Sequence, residues 1–309
     1  MNSSRWNAAG ESWPPLPWGE WRETGDTLHL WTQVVGKVKL QLCPALNELW
    51  QVALYPTSRG LATGRIPYET GAFGITFDFV EHELMVATSY GERRTMPLRP
   101  RSVAAFYHEL MGILRALGID VAISPLPSEV PEPIRLDEDE RHTSYDPESA
   151  RRWWQIVLQT SLVLDRYRSS FVGKSSPVLF WWGSFDVNTT RFSGRPAPPL
   201  PGAPRFMQLA EDQENICCGF WPGNATVGGV EIGEPCFYAY SYPEPAGFGA
   251  ASLRAAAATY HPELGEFLLP YEAIRRTAAP AQTILDFFLS AYDAAATRAG
   301  WDPTLMAPR

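Results

Sequence analysis

Between residues 125 and 147 the chain carries Pro125, Pro127, Pro131, Pro133 and Pro147 around the acidic run Asp137-Glu138-Asp139-Glu140. Proline removes a backbone donor and fixes φ, so neither a long helix nor a central strand continues through such a stretch. Regular structure must lie on either side of it. The expected layout is an N-terminal α+β half over 1–124, an extended, solvated Pro/acidic linker over 125–147, and a C-terminal half over 148–309.

Before the linker, short apolar or alternating runs of strand type fall at Val38 to Leu42, Leu49 to Tyr55, Phe73 to Phe79 and Leu84 to Ala87, an antiparallel meander. Val103, Phe106, Tyr107, Leu110, Leu114 and Leu117 then recur at three- and four-residue intervals, which stacks them on one helical face. Ser102 suits the amino-terminal cap of that helix and Gly118 its stop. After the linker, Asp146-Pro147 opens a helix marked by Trp153, Val157, Leu164, Tyr167 and Phe171. Strands are expected at Val178 to Trp182, Ile216 to Phe220, Cys236 to Tyr240 and Glu266 to Leu269. A closing helix holds Leu285, Phe288 and Tyr292 and stops at Gly300. The fold class is α+β, with two similar halves, each an antiparallel sheet flanked by long helices.

The halves share local strings. Val35-Gly36-Lys37 opens the first strand region and Val172-Gly173-Lys174 the second, while Leu117-Gly118-Ile119-Asp120 corresponds to Ala299-Gly300-Trp301-Asp302. Chance recurrence and internal duplication both stand open. Under duplication the second half is about 45 residues longer between these markers, which places an insertion at about 187–215.

Apolar residues make up 45% of the 309 and charged ones 19%, enough to offset the chain entropy of folding. A net charge of −8 excludes a phosphate-backbone binder, so no nucleic acid partner is expected. No run of ~18 apolar residues is present, and Pro14, Pro15 and Pro17 punctuate a polar amino terminus, so the expectation is a cytoplasmic chain without a membrane partner. Cys43, Cys217, Cys218 and Cys236 lack the two-residue spacing of zinc or redox motifs and suit a buried interior. The five histidines show no helical ligand spacing; no metal is assigned, and the sequence names no cofactor. Gly173-Lys174-Ser175 fails as a phosphate loop, because Arg168 stands where the motif needs its first glycine.

The segment from Phe171 to Pro198 is the most informative. An apolar strand there runs into what reads as a polar loop holding Asp186, Arg191 and Arg195. Arginine grips carboxylate or phosphate with a planar fork and lysine adds a point charge. Lys174, Arg191 and Arg195 therefore suit a small anionic ligand, with Trp181 or Trp182 as an apolar wall. Lys37 occupies the matching place in the first Val-Gly-Lys string. Asp186 either orients the cations or acts as a general base. His29, in Thr27-Leu28-His29-Leu30-Trp31, is either a site residue or a hydrogen-bonded core residue. Two alternatives accompany this expectation: Asp186 pairs with Arg191 or Arg195 merely to pin the loop, or the chain is a non-catalytic interaction protein or homo-oligomeric scaffold with aromatic-rich surfaces.

Lys174-Ser175-Ser176-Pro177, Trp182-Gly183-Ser184-Phe185-Asp186 and Arg191-Phe192-Ser193-Gly194-Arg195 resemble the central signature of domain of unknown function 5996. Leu30 to Lys37, Leu98-Arg99-Pro100-Arg101-Ser102-Val103, Gly219-Phe220-Trp221-Pro222-Gly223 and Phe267-Leu268-Leu269-Pro270-Tyr271 are similar to it too, so the resemblance covers nearly the whole chain. It implies a soluble bacterial protein with this full-length layout and carries no mechanism.

Overall fold

The computed structural model describes residues 12–306 except 224, 228 and 229. In chain order, helix α1 (Trp18–Leu42) precedes strands β1 (Tyr55–Pro56), β2 (Gly60–Ala62), β3 (Ile66–Tyr68), β4 (Gly71–Asp78), β5 (Glu83–Thr88) and β6 (Arg93–Pro97), and α2 (Val103–Ala116) follows them. The second series is α3 (Pro147–Ser169), β7 (Leu179–Trp181), β8 (Asp186–Pro196), α4 (Arg205–Ala210), β9 (Gln213–Trp221), the hairpin β10 (Ala225–Val227) and β11 (Val230–Ile232), β12 (Cys236–Tyr242), β13 (Thr259–His261), β14 (Glu266–Pro270), α5 (Tyr271–Arg275) and α6 (Pro280–Arg298). The fold is α+β with two six-stranded antiparallel sheets and several helices. No helix among the described residues is long and apolar enough to cross a membrane.

The first sheet has the order β1-β2-β4-β5-β6, with β3 also pairing β4, and the second runs β13-β14-β12-β9-β8-β7. They meet edge to edge. Leu54 and Phe180 exchange two backbone hydrogen bonds of 2.9 and 2.8 Å in an antiparallel bridge, which satisfies donors that an open edge would leave to solvent. One apolar cluster continues through both halves, from Trp13 and Trp31 to Phe288 and Trp301. At its centre Phe185 stacks on Trp153 at 4.9 Å, and Trp31 stacks on Phe106 at 4.8 Å.

The capping chemistry is as the sequence implies. Ser102 Oγ accepts from the Ala105 amide and Asp146 Oδ2 from Ser149, with Pro147 in the first turn of α3. Gly118 and Gly300 follow α2 and α6 with φ of 75° and 62°, the left-handed geometry that glycine adopts without a Cβ penalty.

Three expectations are corrected. Val38 to Leu42 is the last stretch of α1, not a strand, so Val35-Gly36-Lys37 lies inside a helix whereas Val172-Gly173-Lys174 follows one. Leu28, Trp31, Val34, Val35 and Val38 are all buried, and a helix buried on most sides shows the same unbroken apolar run as a buried strand. Leu49 to Tyr55 is mostly turn, with only Tyr55 reaching β1. The polar loop after Trp182 is instead strand β8, paired along one side with β7 and along the other with β9; residues 197–212, including α4, are the part that leaves the sheet.

The segment 125–147 forms neither helix nor strand before Pro147, which opens α3, yet it is not solvated throughout. Leu136 and Asp139 are fully buried. Its backbone is satisfied by side chains: Gln33 of α1 donates to Ser128 O at 2.8 Å and accepts from Ser128 N at 2.7 Å, and Asp139 Oδ1 accepts the amides of Arg141 and His142.

Candidate functional site

The two arginines of β8 face the helices. Arg191 is fully buried; Nη2 donates to Tyr167 O and to Ser170 Oγ at 3.1 Å, while the guanidinium lies 3.4 Å from the Tyr167 ring centroid and 4.6 Å from that of Tyr292. It thus caps the carboxyl end of α3, where unpaired carbonyls and the helix dipole favour a cation. Arg195 does the same for α6, donating to Ala299 O at 2.8 Å and Gly300 O at 3.4 Å while pairing with Glu214 at 2.6 Å. Lys174 pairs with the buried Glu48 at 2.5 Å and sits 4.5 Å from the Phe192 ring centroid. Strand alternation puts Phe192 and Arg191 on opposite faces of β8, so Lys174 and Arg191 do not converge. Each of the three cations is committed to protein groups.

The tryptophans also part company. Trp182 turns toward α1, where its Nε1 donates to Val52 O at 2.9 Å and its indole lies directly on Gly36, a position that only glycine leaves open. Lys37 Nζ is 5.6 Å from the Trp182 ring centroid and 3.5 Å from Ser128 Oγ. His29 is buried, hydrogen-bonded to Gly183 O at 2.8 Å and stacked on Phe185 at 5.0 Å; burial pulls its pKa down to about 4, so the ring is neutral at physiological pH. His29 of α1 thereby holds the β7–β8 turn in place.

Trp181 instead faces the same side as Asp186, its register partner, and donates to Asn188 Oδ1 at 2.9 Å. This outer face of the second sheet, opposite the helices, is where polar side chains collect. Asp186 is buried and accepts from Ser184 Oγ, from Tyr238 OH and from Asn188 Nδ2, the last at 3.0 Å. Tyr238 belongs to β12, one strand beyond β9. Its ring reaches Asp186 by crossing Gly219, where a Cβ would stand 2.5 Å from the hydroxyl and 2.6 Å from Val187 O. Glycine inside a strand marks such a close approach. Burial raises the Asp186 carboxyl above the usual range, while the three donors oppose the rise.

Three more carboxyls join this face. Glu129, from the segment between the halves, lies against Gly183. It is exposed, yet desolvation first and the Asp186 charge second push its pKa up to about 7. Glu266 of β14 is 7% exposed and pushed up to about 8 by burial, then by Asp186 and Glu211. Glu211 is raised by burial and receives hydrogen bonds from Asn215 Nδ2 and Tyr240 OH. Among the described residues no three His, Cys, Asp or Glu side chains are set to hold a metal ion.

Asp186 and Trp181 were legible in the sequence as candidates. Glu129, Asn188, Tyr238 and Glu266 were not, and Gly219 within an apolar strand was the one available signal for them.

Fold and site together define an α+β protein with a carboxyl-rich, aromatic face on its second sheet. The chain belongs to the family of unknown function DUF5996, whose model matches residues 13–308. No curated protein and no solved structure matches it.

Proposed function

We propose that the chain binds a small molecule on the outer face of its second sheet, at the Asp186 end of the Lys174 to Arg195 segment, and that the ligand presents hydrogen-bond donors rather than an anion. The observation that carries this is the coupling of Glu129 to Asp186: a solvent-reaching carboxyl with a pKa of about 7 beside a buried one that accepts three hydrogen bonds. Buried acceptors of this kind favour ligands that bring donors. Lys174, Arg191 and Arg195, first in line for an anion, are engaged in an ion pair and two helix caps.

The roles divide by environment. Asp186 already accepts three hydrogen bonds and suits holding a ligand. Glu129, near half-protonated at neutral pH, is the group suited to exchanging a proton with it. Trp181 supplies the apolar wall.

A thermal-shift screen of anionic, neutral polyhydroxy and amine metabolites tests the reading. The expected result is a stabilising compound whose effect disappears in Asp186→Asn and Glu129→Gln while both variants stay folded. An anion whose effect survives in both but vanishes in Arg195→Ala would move the site to the cationic end.

A second reading, self-association, has one observation in its favour: Phe206, Met207 and Leu209 of α4 are exposed. It does not extend to the tryptophans, none of which is exposed among the described residues. Light scattering on Phe206→Asp beside the unaltered chain decides it.

Internal duplication is a further part of this proposal. Outward from the Leu54–Phe180 joint, β1, β2, β4 and β5 occupy the places of β7, β8, β9 and β12. Superposition of experimental coordinates that aligns these strands only in another order would sink it.

A further inference from the structure

Among the described residues, four buried polar atoms on the outer face of the second sheet have no hydrogen-bond partner: Glu266 Oε2, Asn215 Oδ1, Trp221 Nε1 and His261 Nδ1. Register places them together. Glu266 is the cross-strand partner of both Tyr240 and His261, Tyr240 is that of Cys217, and Asn215 and Trp221 lie two and four residues from Cys217 on β9. Buried polar atoms are almost always satisfied, by protein, water or ligand, so four on one face mark a place where a partner belongs. Asn215 Oδ1 is an acceptor and Trp221 Nε1 a donor, while Glu266 Oε2 accepts when its carboxyl is ionised and the imidazole nitrogen takes either part.

Charge narrows the partner. Asp186, Glu129, Glu211 and Glu266 share this face, and none forms an ion pair with a lysine, arginine or histidine among the described residues. The charges that act on them are other carboxylates: Asp186 on Glu129, Asp186 and Glu211 on Glu266, Asp212 on Glu211. Uncompensated carboxyls crowded together in a poorly solvated place are costly unless they hold protons or meet a cation. They do not converge on a point as a metal requires. Rings fill the space between them: Trp221 stacks on Tyr238 at 4.3 Å, and Tyr240 lies parallel beyond it at 6.3 Å. Aromatic faces attract diffuse organic cations.

We propose that this face binds an organic cation with N–H donors, a primary ammonium compound long enough to reach from Asp186 to Glu266. The inference rests on the small-molecule reading above and deepens it by naming the ligand class. The ammonium groups donate to Glu266 and Asp186, and the chain between them passes the Tyr240 ring, which is half-buried where Trp221 and Tyr238 are buried. Binding displaces the proton that Glu266 holds at neutral pH, so at pH 7 it releases acid to the buffer. The titratable groups facing Glu266 are Asp186, Glu211, Tyr240, His261 and Cys236; burial pushes the Tyr240 phenol and the Cys236 thiol up, so both keep their protons at pH 7 and the carboxyls carry the exchange.

The test is isothermal titration of the full chain at pH 7 with 1,4-diaminobutane, butylamine, 1,4-butanediol and succinate. The diamine binds most tightly and the diol and succinate do not bind; Glu266→Gln and, separately, Glu211→Gln weaken the diamine tenfold or more. Its heat differs between phosphate and Tris buffers through proton release, and the difference shrinks in Glu266→Gln. Diol binding that is lost in Asp186→Asn would overturn the amine inference and leave the small-molecule site standing. Succinate binding that is lost in Arg195→Ala would overturn both. Absence of diamine binding at millimolar concentration, with the unaltered chain folded, also overturns the inference.

Discussion

Replacing Glu266 with glutamine should stabilise the protein, and by an amount that grows with pH. Glu266 is 7% exposed, and burial lifts its pKa to about 8 from the ordinary glutamate value of 4.5. Between those values the unfolded chain releases the proton while the fold retains it, so the unfolded state binds fewer protons and stability falls as pH rises. The slope is at most ~1.4 kcal/mol per pH unit. From pH 4.5 to 7 the loss is about 3 kcal/mol, and above pH 8 it levels off near ~5 kcal/mol. Glutamine keeps the shape of the protonated acid and has nothing to ionise. Urea unfolding of both chains at pH 5, 7 and 9 should therefore show nearly equal stability at the lowest pH and a widening advantage for the variant. At neutral pH that advantage is a rise in Tm of ~5 °C for a chain of this size. A pH-independent difference, or a variant less stable throughout, would refute the placement of a strained, proton-holding carboxyl on this face.

Other consequences are local. Gly219→Ala puts a methyl 2.5 Å from the Tyr238 hydroxyl, which should cost ~1–3 kcal/mol in urea unfolding and alter the near-ultraviolet circular dichroism of Tyr238 and Trp221. Arg191→Ala uncaps α3 and empties a cage of three aromatic rings, so a loss of ~3 kcal/mol or more, or failure to fold, is expected by the same unfolding assay. Arg195→Ala removes a half-exposed cap and ion pair and should cost ~1 kcal/mol, with ligand binding at Asp186 unchanged by titration calorimetry.

Amphipathic elements announced themselves in the sequence: α2 through its three- and four-residue apolar spacing, and β4 and β5 through alternation against solvent. Elements buried on both sides did not. The end of α1 around Val35 and Val38 is apolar on most faces and reads equally well as a strand. β8 failed differently, because Asp186, Asn188 and Arg191 are polar residues that the fold buries, and polarity alone suggests a loop. β6, Arg-Arg-Thr-Met-Pro, buries only Met96 and carries no strand pattern at all. For the site, Asp186 stood out because it borders tryptophans, but its partners Tyr238, Glu129 and Glu266 lie 52, 57 and 80 residues away and meet it only through strand pairing and the crossing segment. The arginines misled for a physical reason: a guanidinium that grips a ligand anion is, residue for residue, the same group that caps a helix.

The central claim is that the outer sheet face holds carboxyls poised to meet a cation. Carbon-13 NMR titration of the Glu129 and Glu266 side-chain carboxyls, with and without 1,4-diaminobutane, tests it most directly. Free protein should give midpoints near 7 and 8, and the diamine should lower both, because a nearby cation favours the ionised form. Midpoints near 4.5 for both residues, unmoved by the diamine, would contradict it.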